Sequence, residues 1–302
     1  MTVSDWIASG VDQLTQAQLA FGHGTTNARD EATWLVLWAL GLPLDTPLDG
    51  EDSKANMPVA PADAERIAML FEKRVQTRKP AAYLTHEAWL QGVSFYVDER
   101  VIVPRSLIAE LMADGSLDYW LKESTQNVLD LCTGNGSLAI LAALTYPEVT
   151  VTGSDLSGDA LAVAHINVAK HELEERITLL ESDGFAAPEL QALGPFDLLL
   201  CNPPYVNASS MAALPPEYRA EPVLALDGNR SGGTDGMDFI RTLLIQAPEH
   251  MTVDAVLVLE VGNERAHFEA AFPTLEAVWL DTSAGGDQVL LVSRDALLML
   301  RS

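Results

Sequence analysis

At 302 residues the chain exceeds the usual size of one domain, so a large domain of about 200 residues with a smaller companion is expected. With 48% hydrophobic and 20% charged residues it is too apolar for a disordered chain, and its two cysteines, Cys132 and Cys201, provide no disulfide framework. The net charge of -25, from 43 acidic against 18 basic residues, would repel a phosphate backbone and argues against a nucleic-acid partner. Two readings of the acidity stay open: solubility, and attraction to a basic protein.

Ser4 and Asp5 precede an amphipathic stretch that predicts a helix to Phe21, and a second helix is expected over Asp30 to Leu40, ending near Gly41 and Pro43. The longest nearly apolar run, Trp34 to Leu44, lies between Glu31 and Asp45. It falls short of the ~20 residues of a membrane span and reads as a buried helix. A third helix opens at Pro61 with Asp63 and Glu65 in its first turn and closes with Arg74, Arg78 and Lys79 before Pro80, as the helix dipole favours. No basic segment followed by an apolar one marks the start of the chain, so the cytoplasm is the expected compartment. Residues 1–82 are thus expected to form a helical domain.

From Tyr83 to Val103 aromatic and β-branched residues recur. Ser94-Phe95-Tyr96-Val97 is expected to face Val101-Ile102-Val103 across an acidic turn, making residues 83–105 a β-hairpin linker. Beyond it, apolar strands are expected at Asn127–Leu131, Thr150–Gly153, Ile177–Leu180, Phe196–Cys201 and Ala255–Leu259, separated by helical stretches. That alternation predicts a doubly wound α/β domain over residues 106–302, with a parallel sheet covered on both faces. Ala277–Leu280 and Gln288–Ser293 flank Ser283-Ala284-Gly285-Gly286 and suggest a terminal antiparallel hairpin. Each cysteine ends a predicted strand and reads as a small core thiol.

The first strand of that domain ends in Asp130-Leu131-Cys132 and enters Thr133-Gly134-Asn135-Gly136, where small residues let a ligand approach the backbone at the carboxyl end of the sheet. Asp155 ends the next strand, near the ~20-residue offset at which an acid meets ribose hydroxyls. These features leave nicotinamide cofactors and S-adenosylmethionine both open. Ile140 and Leu141 follow where a dinucleotide fingerprint would need a third glycine, which argues against a dinucleotide.

The fourth strand delivers Asn202-Pro203-Pro204-Tyr205 to the same edge. Each proline pushes the preceding residue away from helix, so Asn202 and Pro203 are extended and their acceptors point outward. An amide nitrogen is a weak nucleophile that must be oriented. The Asn202 side-chain oxygen and the Pro203 carbonyl can each accept one N–H and aim the nitrogen at a sulfonium methyl, while Tyr205 offers an aromatic face.

On these residues the chain resembles the HemK/PrmB family of protein glutamine N(5)-methyltransferases, over nearly its whole length. Asp130 to Gly136 resembles the family's cofactor loop, and Asn202 to Tyr205 its substrate motif. The resemblance implies a Rossmann-like class I S-adenosylmethionine methyltransferase domain. Cofactor contacts fall on Asp130, Thr133, Gly134, Gly136, Asp155, Asp183, Phe185 and Asn202. Gly134 and Gly136 approach the methionine part, Asp155 binds the ribose and Asp183 lies near the adenine. Asn202, Pro203, Pro204 and Tyr205 bind the substrate amide, and Asn202, Pro203 and Tyr205 carry catalysis. Ala88-Trp89, Phe95 to Ser106, Glu221-Pro222 and Gly233-Thr-Asp-Gly236 are similar to the branch that modifies large-subunit ribosomal protein L-three, free or in assembly intermediates. The chain departs from the family pattern at Leu107, Asn135 and Gly184. Gly184 leaves Phe185 as the local candidate to cover the adenine.

The rival readings are the release-factor branch of the same family, a DNA adenine amino-methyltransferase and a non-catalytic ribosome-assembly factor. No metal site is expected: His171-Glu172 starts like a zinc protease helix, but Glu175 stands where the second histidine belongs. Arg105 is expected to form an ion pair, with Glu110 a candidate partner, or to contact substrate.

Overall fold

Thr2 begins the first helix, α1 (Val3–Gln16), with a reciprocal cap. Its Oγ1 accepts from Asp5 N at 3.2 Å, and Asp5 Oδ2 accepts from Thr2 N at 2.8 Å, satisfying two donors that a helix start leaves open. The computed structural model describes residues 1–300, and α1 belongs to the first of its two units, Met1–Ala88 with Leu214–Ala220. α1 stops before Phe21 because Gln18 takes a φ of 49°. Helices α2 (Ala28–Ala39), α3 (Pro61–Thr77) and α4 (Ala81–Thr85) follow.

Val3, Leu14, Leu35, Leu37, Ile67 and Phe71 form the fully buried apolar core of this unit. Inside it Arg74 Nε donates to Glu31 Oε1 at 2.7 Å, and the Thr25 hydroxyl donates to the same carboxylate. A remote segment completes the unit. Glu217, fully buried, pairs with Arg78 at 2.6 Å, and the Tyr218 ring lies 4.2 Å from that of His23.

The second unit comprises Trp89–Ala213 and the chain from Glu221 onward. Strands β1 (Ala88–Leu90) and β2 (Val93–Phe95) pair across Gln91 and Gly92, whose φ values of 49° and 75° suit a two-residue hairpin turn. The hairpin expected between Ser94–Val97 and Val101–Val103 does not form, because side chains satisfy that backbone. Tyr96 N donates to Asn167 Oδ1 at 2.7 Å, Asn167 Nδ2 donates to Tyr96 O at 3.0 Å, and Val103 N donates to Glu221 Oε1 at 2.9 Å. Residues 96–107 are instead an irregular strap.

After the strap come α5 (Ile108–Ala113), β3 (Asn127–Leu131), α6 (Ser137–Thr145), β4 (Thr150–Asp155), α7 (Gly158–Lys170), β5 (Ile177–Glu181), α8 (Pro188–Leu193) and β6 (Phe196–Cys201). The remainder is α9 (Ala208–Ala213), α10 (Val223–Leu226), α11 (Asp238–Gln246), β7 (Met251–Glu260), α12 (Arg265–Ala271), β8 (Val278–Thr282), β9 (Gly285–Ser293) and α13 (Arg294–Met299). The sheet order is β5-β4-β3-β6-β7-β9-β8. The first five strands run parallel, and the last two close the sheet as the expected antiparallel hairpin.

Both faces of the sheet are covered. Ile108, Leu138, Ala142 and Val168 pack on one side with Leu198 and Val258, and Leu190, Ile240, Phe268 and Leu297 pack on the other with Leu129 and Leu257. Because two faces are buried, the parallel strands read as continuous apolar runs rather than alternating ones. The chain leaves β3 toward β4 and β5, then returns to β6 on the opposite side. This reversal opens a crevice at the carboxyl ends of β3, β4 and β6, where doubly wound folds bind ligands. Among the described residues no helix is long and apolar enough to cross a membrane.

Candidate active site

The crevice is a cavity that opens to solvent at its mouth. Thr133, Gly134, Asp155, Ser182, Asn202 and Pro204 contribute to its wall, with Val101, Ile102, Leu138 and Phe239 among its apolar surfaces. The site therefore combines a few fixed polar groups with apolar walls, the make-up of a small-molecule site.

The glycine loop is shaped from below. Asp130 lies beneath the wall, 1% exposed. Its Oδ2 accepts from the Thr133 hydroxyl at 2.5 Å and from Ala139 N at 3.0 Å, so it ties the loop to the start of α6. Burial pushes its carboxyl up to about 7, against the two donors that favour the charged form. Gly136 starts α6 and packs against Ala164. Gly134 has a φ of 55°, and a Cβ placed there would meet nothing within 4 Å, so this backbone leaves space for a ligand.

Asp155 Oδ2 accepts from Gly134 N at 2.9 Å and Oδ1 from Ser157 N at 2.9 Å. Burial raises its pKa, opposed by these N–H groups and by the charge of Arg230. Arg230 is itself a wall residue, 4.0 Å from the exposed Asp183. Phe185 lies off the wall: it is 3% exposed and stacks on His250 with ring centroids 4.2 Å apart. The aromatic wall residue beside Gly184 is Phe239.

At the end of β6, Asn202 and Pro204 line the cavity, and the Asn202 side chain bonds to none of the described residues. Pro203 is buried behind them. Tyr205 is also off the wall, and its hydroxyl points to Glu260 Oε1 at 3.4 Å. Burial and the nearby Glu260 push its phenol well above the usual tyrosine range. Gly236 explains part of the glycine-rich segment that follows: a Cβ there would lie 2.0 Å from Tyr205 O, so only glycine lets that loop seat against the motif.

Two buried carboxylates anchor the strap that also lines the cavity. Glu221 receives Arg105 through both guanidinium nitrogens, at 2.6 and 2.8 Å, and Glu260 Oε2 accepts from the Ser106 hydroxyl at 2.6 Å and Leu107 N at 2.9 Å. Glu110, the partner expected for Arg105, instead accepts from Ser283. His171 Nε2 lies 2.9 Å from Ser94 O. Cys201 is core, whereas Cys132 also reaches the wall. Its thiol is pushed up by a hydrogen bond with Cys201 and by burial, which keeps it protonated.

Of the residues singled out in the sequence, the cavity wall gathers Thr133, Gly134, Asp155, Asn202 and Pro204. Asp130, Gly136, Pro203 and Tyr205 support it, and Asp183 and Phe185 lie off it. Sequence reasoning missed Arg230, Phe239, Ser106 and Glu260. Only Ser106 had a signal, its place in the Val-Pro-Arg-Ser run.

The residues fit an adenosyl methyl donor. A carboxylate stands at the carboxyl end of β4, a glycine backbone opens space beside it, and an amide acceptor with no partner among the described residues lines the same cavity. A family model described as the methyltransferase small domain matches residues 115–214. The hMettl16 catalytic domain, solved in complex with the MAT2A 3'UTR hairpin 6, superposes with a TM-score of 0.50 at 12% identity, covering 77% of this chain and 81% of that one. That likeness concerns the fold. The ribosomal protein uL3 glutamine methyltransferase of Bordetella pertussis is 51% identical over 298 residues, 98% of this chain and 96% of that one. The Burkholderia pseudomallei protein of the same name is 50% identical over 301 residues, 98% and 95% of the two chains.

Fold and site define an S-adenosylmethionine-dependent methyltransferase. The full-length identities go further: the chain belongs to the ribosomal protein uL3 glutamine methyltransferase family.

Proposed function

We propose that this chain transfers a methyl group from S-adenosylmethionine to the side-chain amide nitrogen of a glutamine in ribosomal protein uL3. The observation that carries the reading is Asn202, an amide acceptor without a partner among the described residues, lining the same cavity as Asp155. The names of the full-length relatives support the choice of substrate. A bacterial ribosomal protein as substrate puts the reaction in the cytoplasm.

When bound, the donor supplies an electrophilic sulfonium methyl. The chain's own residues do the rest by orientation and exclusion of water. Asn202 Oδ1 and the Pro203 carbonyl each accept one N–H of the substrate amide, which fixes the nitrogen's lone pair toward the methyl. Asp155 accepts ribose hydroxyls, held in place by the N–H groups of Gly134 and Ser157. Gly134 gives the ligand backbone access. Asp130 stays beneath the loop, holding Thr133 and the start of α6. Tyr205 acts from behind the wall, through Glu260.

Asn202 lines a cavity rather than an exposed surface, so a flexible glutamine loop must enter it and the recognised form is free uL3 or an assembly intermediate. The enzyme's net charge of -25 favours encounter with a basic protein, a component that salt screens. The helical unit is assigned to substrate recognition. Deleting residues 1–80 would also strip Arg78 from the buried Glu217, so recognition there is better read from surface substitutions and KM. Labelled methyl transfer to free uL3, a release factor and mature large subunits, run side by side, tests the proposal. Label on free uL3 is expected, and preference for the release factor would move the chain to the other branch.

A further inference from the structure

An amide nitrogen that gains a methyl group must lose a proton, and the acceptors assigned to orient it are poor bases. Amide carbonyls such as those of Asn202 and Pro203 direct an N–H but hold a proton weakly. Two hydroxyls on the wall donate to a buried carboxylate: Thr133 to Asp130, within the glycine loop, and Ser106 to Glu260. Ser106 lines the cavity that also holds Asn202, and its hydroxyl donates to Glu260 Oε2 at 2.6 Å.

Glu260 ends β7, one side chain back from the cavity and 4% exposed. Its Oε2 also accepts from Leu107 N at 2.9 Å, and the Tyr205 hydroxyl approaches Oε1 at 3.4 Å. Among the described residues no lysine or arginine donates to it. Arg105, the cation whose charge reaches it, is bonded to Glu221.

We propose that Ser106 and Glu260 form the proton exit of the methyl-transfer site. This rests on the glutamine reading above. As the nitrogen's lone pair forms the new C–N bond, the electron pair of the broken C–S bond leaves on sulfur. One of the two N–H protons leaves its amide acceptor as the nitrogen becomes cationic and passes to Ser106 Oγ while the Ser106 hydroxyl proton passes to Glu260 Oε2. Glu260 becomes a neutral acid and returns the proton to water when the site reopens.

The surroundings of Glu260 suit an acceptor. Burial raises its pKa, while the Ser106 hydroxyl, the N–H groups of Leu107 and Ile108, and the Arg105 charge oppose that rise, so the carboxylate is a stronger base than an exposed one. Tyr205, the other titratable group against it, keeps its proton. Because the ionised form accepts, kcat should rise with pH through the Glu260 pKa, above the ordinary glutamate range.

The test combines Glu260→Gln and Ser106→Ala in the full-length enzyme. Each should keep S-adenosylmethionine affinity and lower kcat by about a hundredfold or more, as loss of general-base help does, and the acid limb of the kcat profile should vanish. In the free protein, infrared difference spectra should show a carboxyl that protonates above the ordinary range and is missing from Glu260→Gln. If both variants keep kcat and the acid limb while the wild type methylates uL3, the exit is overturned and the function stands. A wild type that leaves every glutamine of uL3 unmethylated defeats both.

Discussion

Arg105 and Glu221 are 116 positions apart and meet through two hydrogen bonds of 2.6 and 2.8 Å, joining the strap before α5 to the segment that leads into α10. Glu221 is fully buried at its side chain, whereas Arg105 keeps 28% of its side chain exposed. The two halves of the pair should therefore respond unequally.

Arg105→Ala removes a two-point cation from a fully buried carboxylate and should cost about 3–5 kcal/mol. Glu221→Ala leaves the partly solvated Arg105 on Val103 O and removes the acceptor of the Val103 N–H, and should cost less, about 1–3 kcal/mol. Chemical denaturation of both variants checks the order. Equal losses would mean that the pair does not govern the strap.

Asp155→Ala should weaken S-adenosylmethionine binding, since each hydrogen bond to a charged group contributes roughly 1.5–3 kcal/mol. Phe239→Ala should weaken it as well, whereas Phe185→Ala should act on stability, as loss of a buried aromatic costs about 3–5 kcal/mol. Calorimetric titration and thermal melts separate the two aromatic roles. Weakened binding in a stable Phe185→Ala protein would return that ring to the cofactor.

Much of this was legible beforehand for physical reasons. Strands β3 and β6 were bounded correctly because both faces are buried, giving largely apolar runs, each interrupted by one aspartate, that stop at a glycine loop and at a proline pair. Asn202 was legible because it directly follows the second of these runs, and Asp155 because it ends β4 at the offset of a ribose-binding acid. The partners of Arg105 and Ser106 were not: side-chain pairing between distant segments leaves no period in the sequence. The strap misled because its β-branched residues suit a strand, while Asn167 and Glu221 bond the backbone that a ladder would have used. Phe185 misled because it neighbours Gly184 in sequence but turns into the core against His250.

The buried Asp130 gives a pH dependence with a definite sign. Its native pKa of about 7 exceeds the ordinary 3.8, so between those values the native form holds a proton that the unfolded chain has lost. Its contribution to stability is greatest below that window and falls as pH rises through it, by about 4 kcal/mol at most. Asp130→Asn should flatten the stability profile and raise the melting temperature above pH 7. The gain should be smaller than the full proton term, since the new Nδ2 would take the place of Oδ1, which has no partner. An unchanged profile would show that Asp130 is ionised across the range.

Asn202→Ala should leave S-adenosylmethionine affinity within a few fold and lower turnover by about a hundredfold or more, as removal of an orienting acceptor does. The split between a calorimetric Kd and kcat is the readout. A variant that turns over at the normal rate would remove Asn202 from the amide clamp.

The central claim is that the methylated atom is a glutamine amide nitrogen of uL3. Tandem mass spectrometry of free uL3, after incubation with the enzyme and S-adenosylmethionine carrying an isotopically labelled methyl, reads that atom directly. The account predicts the label on the side-chain nitrogen of a glutamine, and its loss with Asn202→Ala. Label confined to a lysine, an arginine or a carboxylate of uL3 would contradict it.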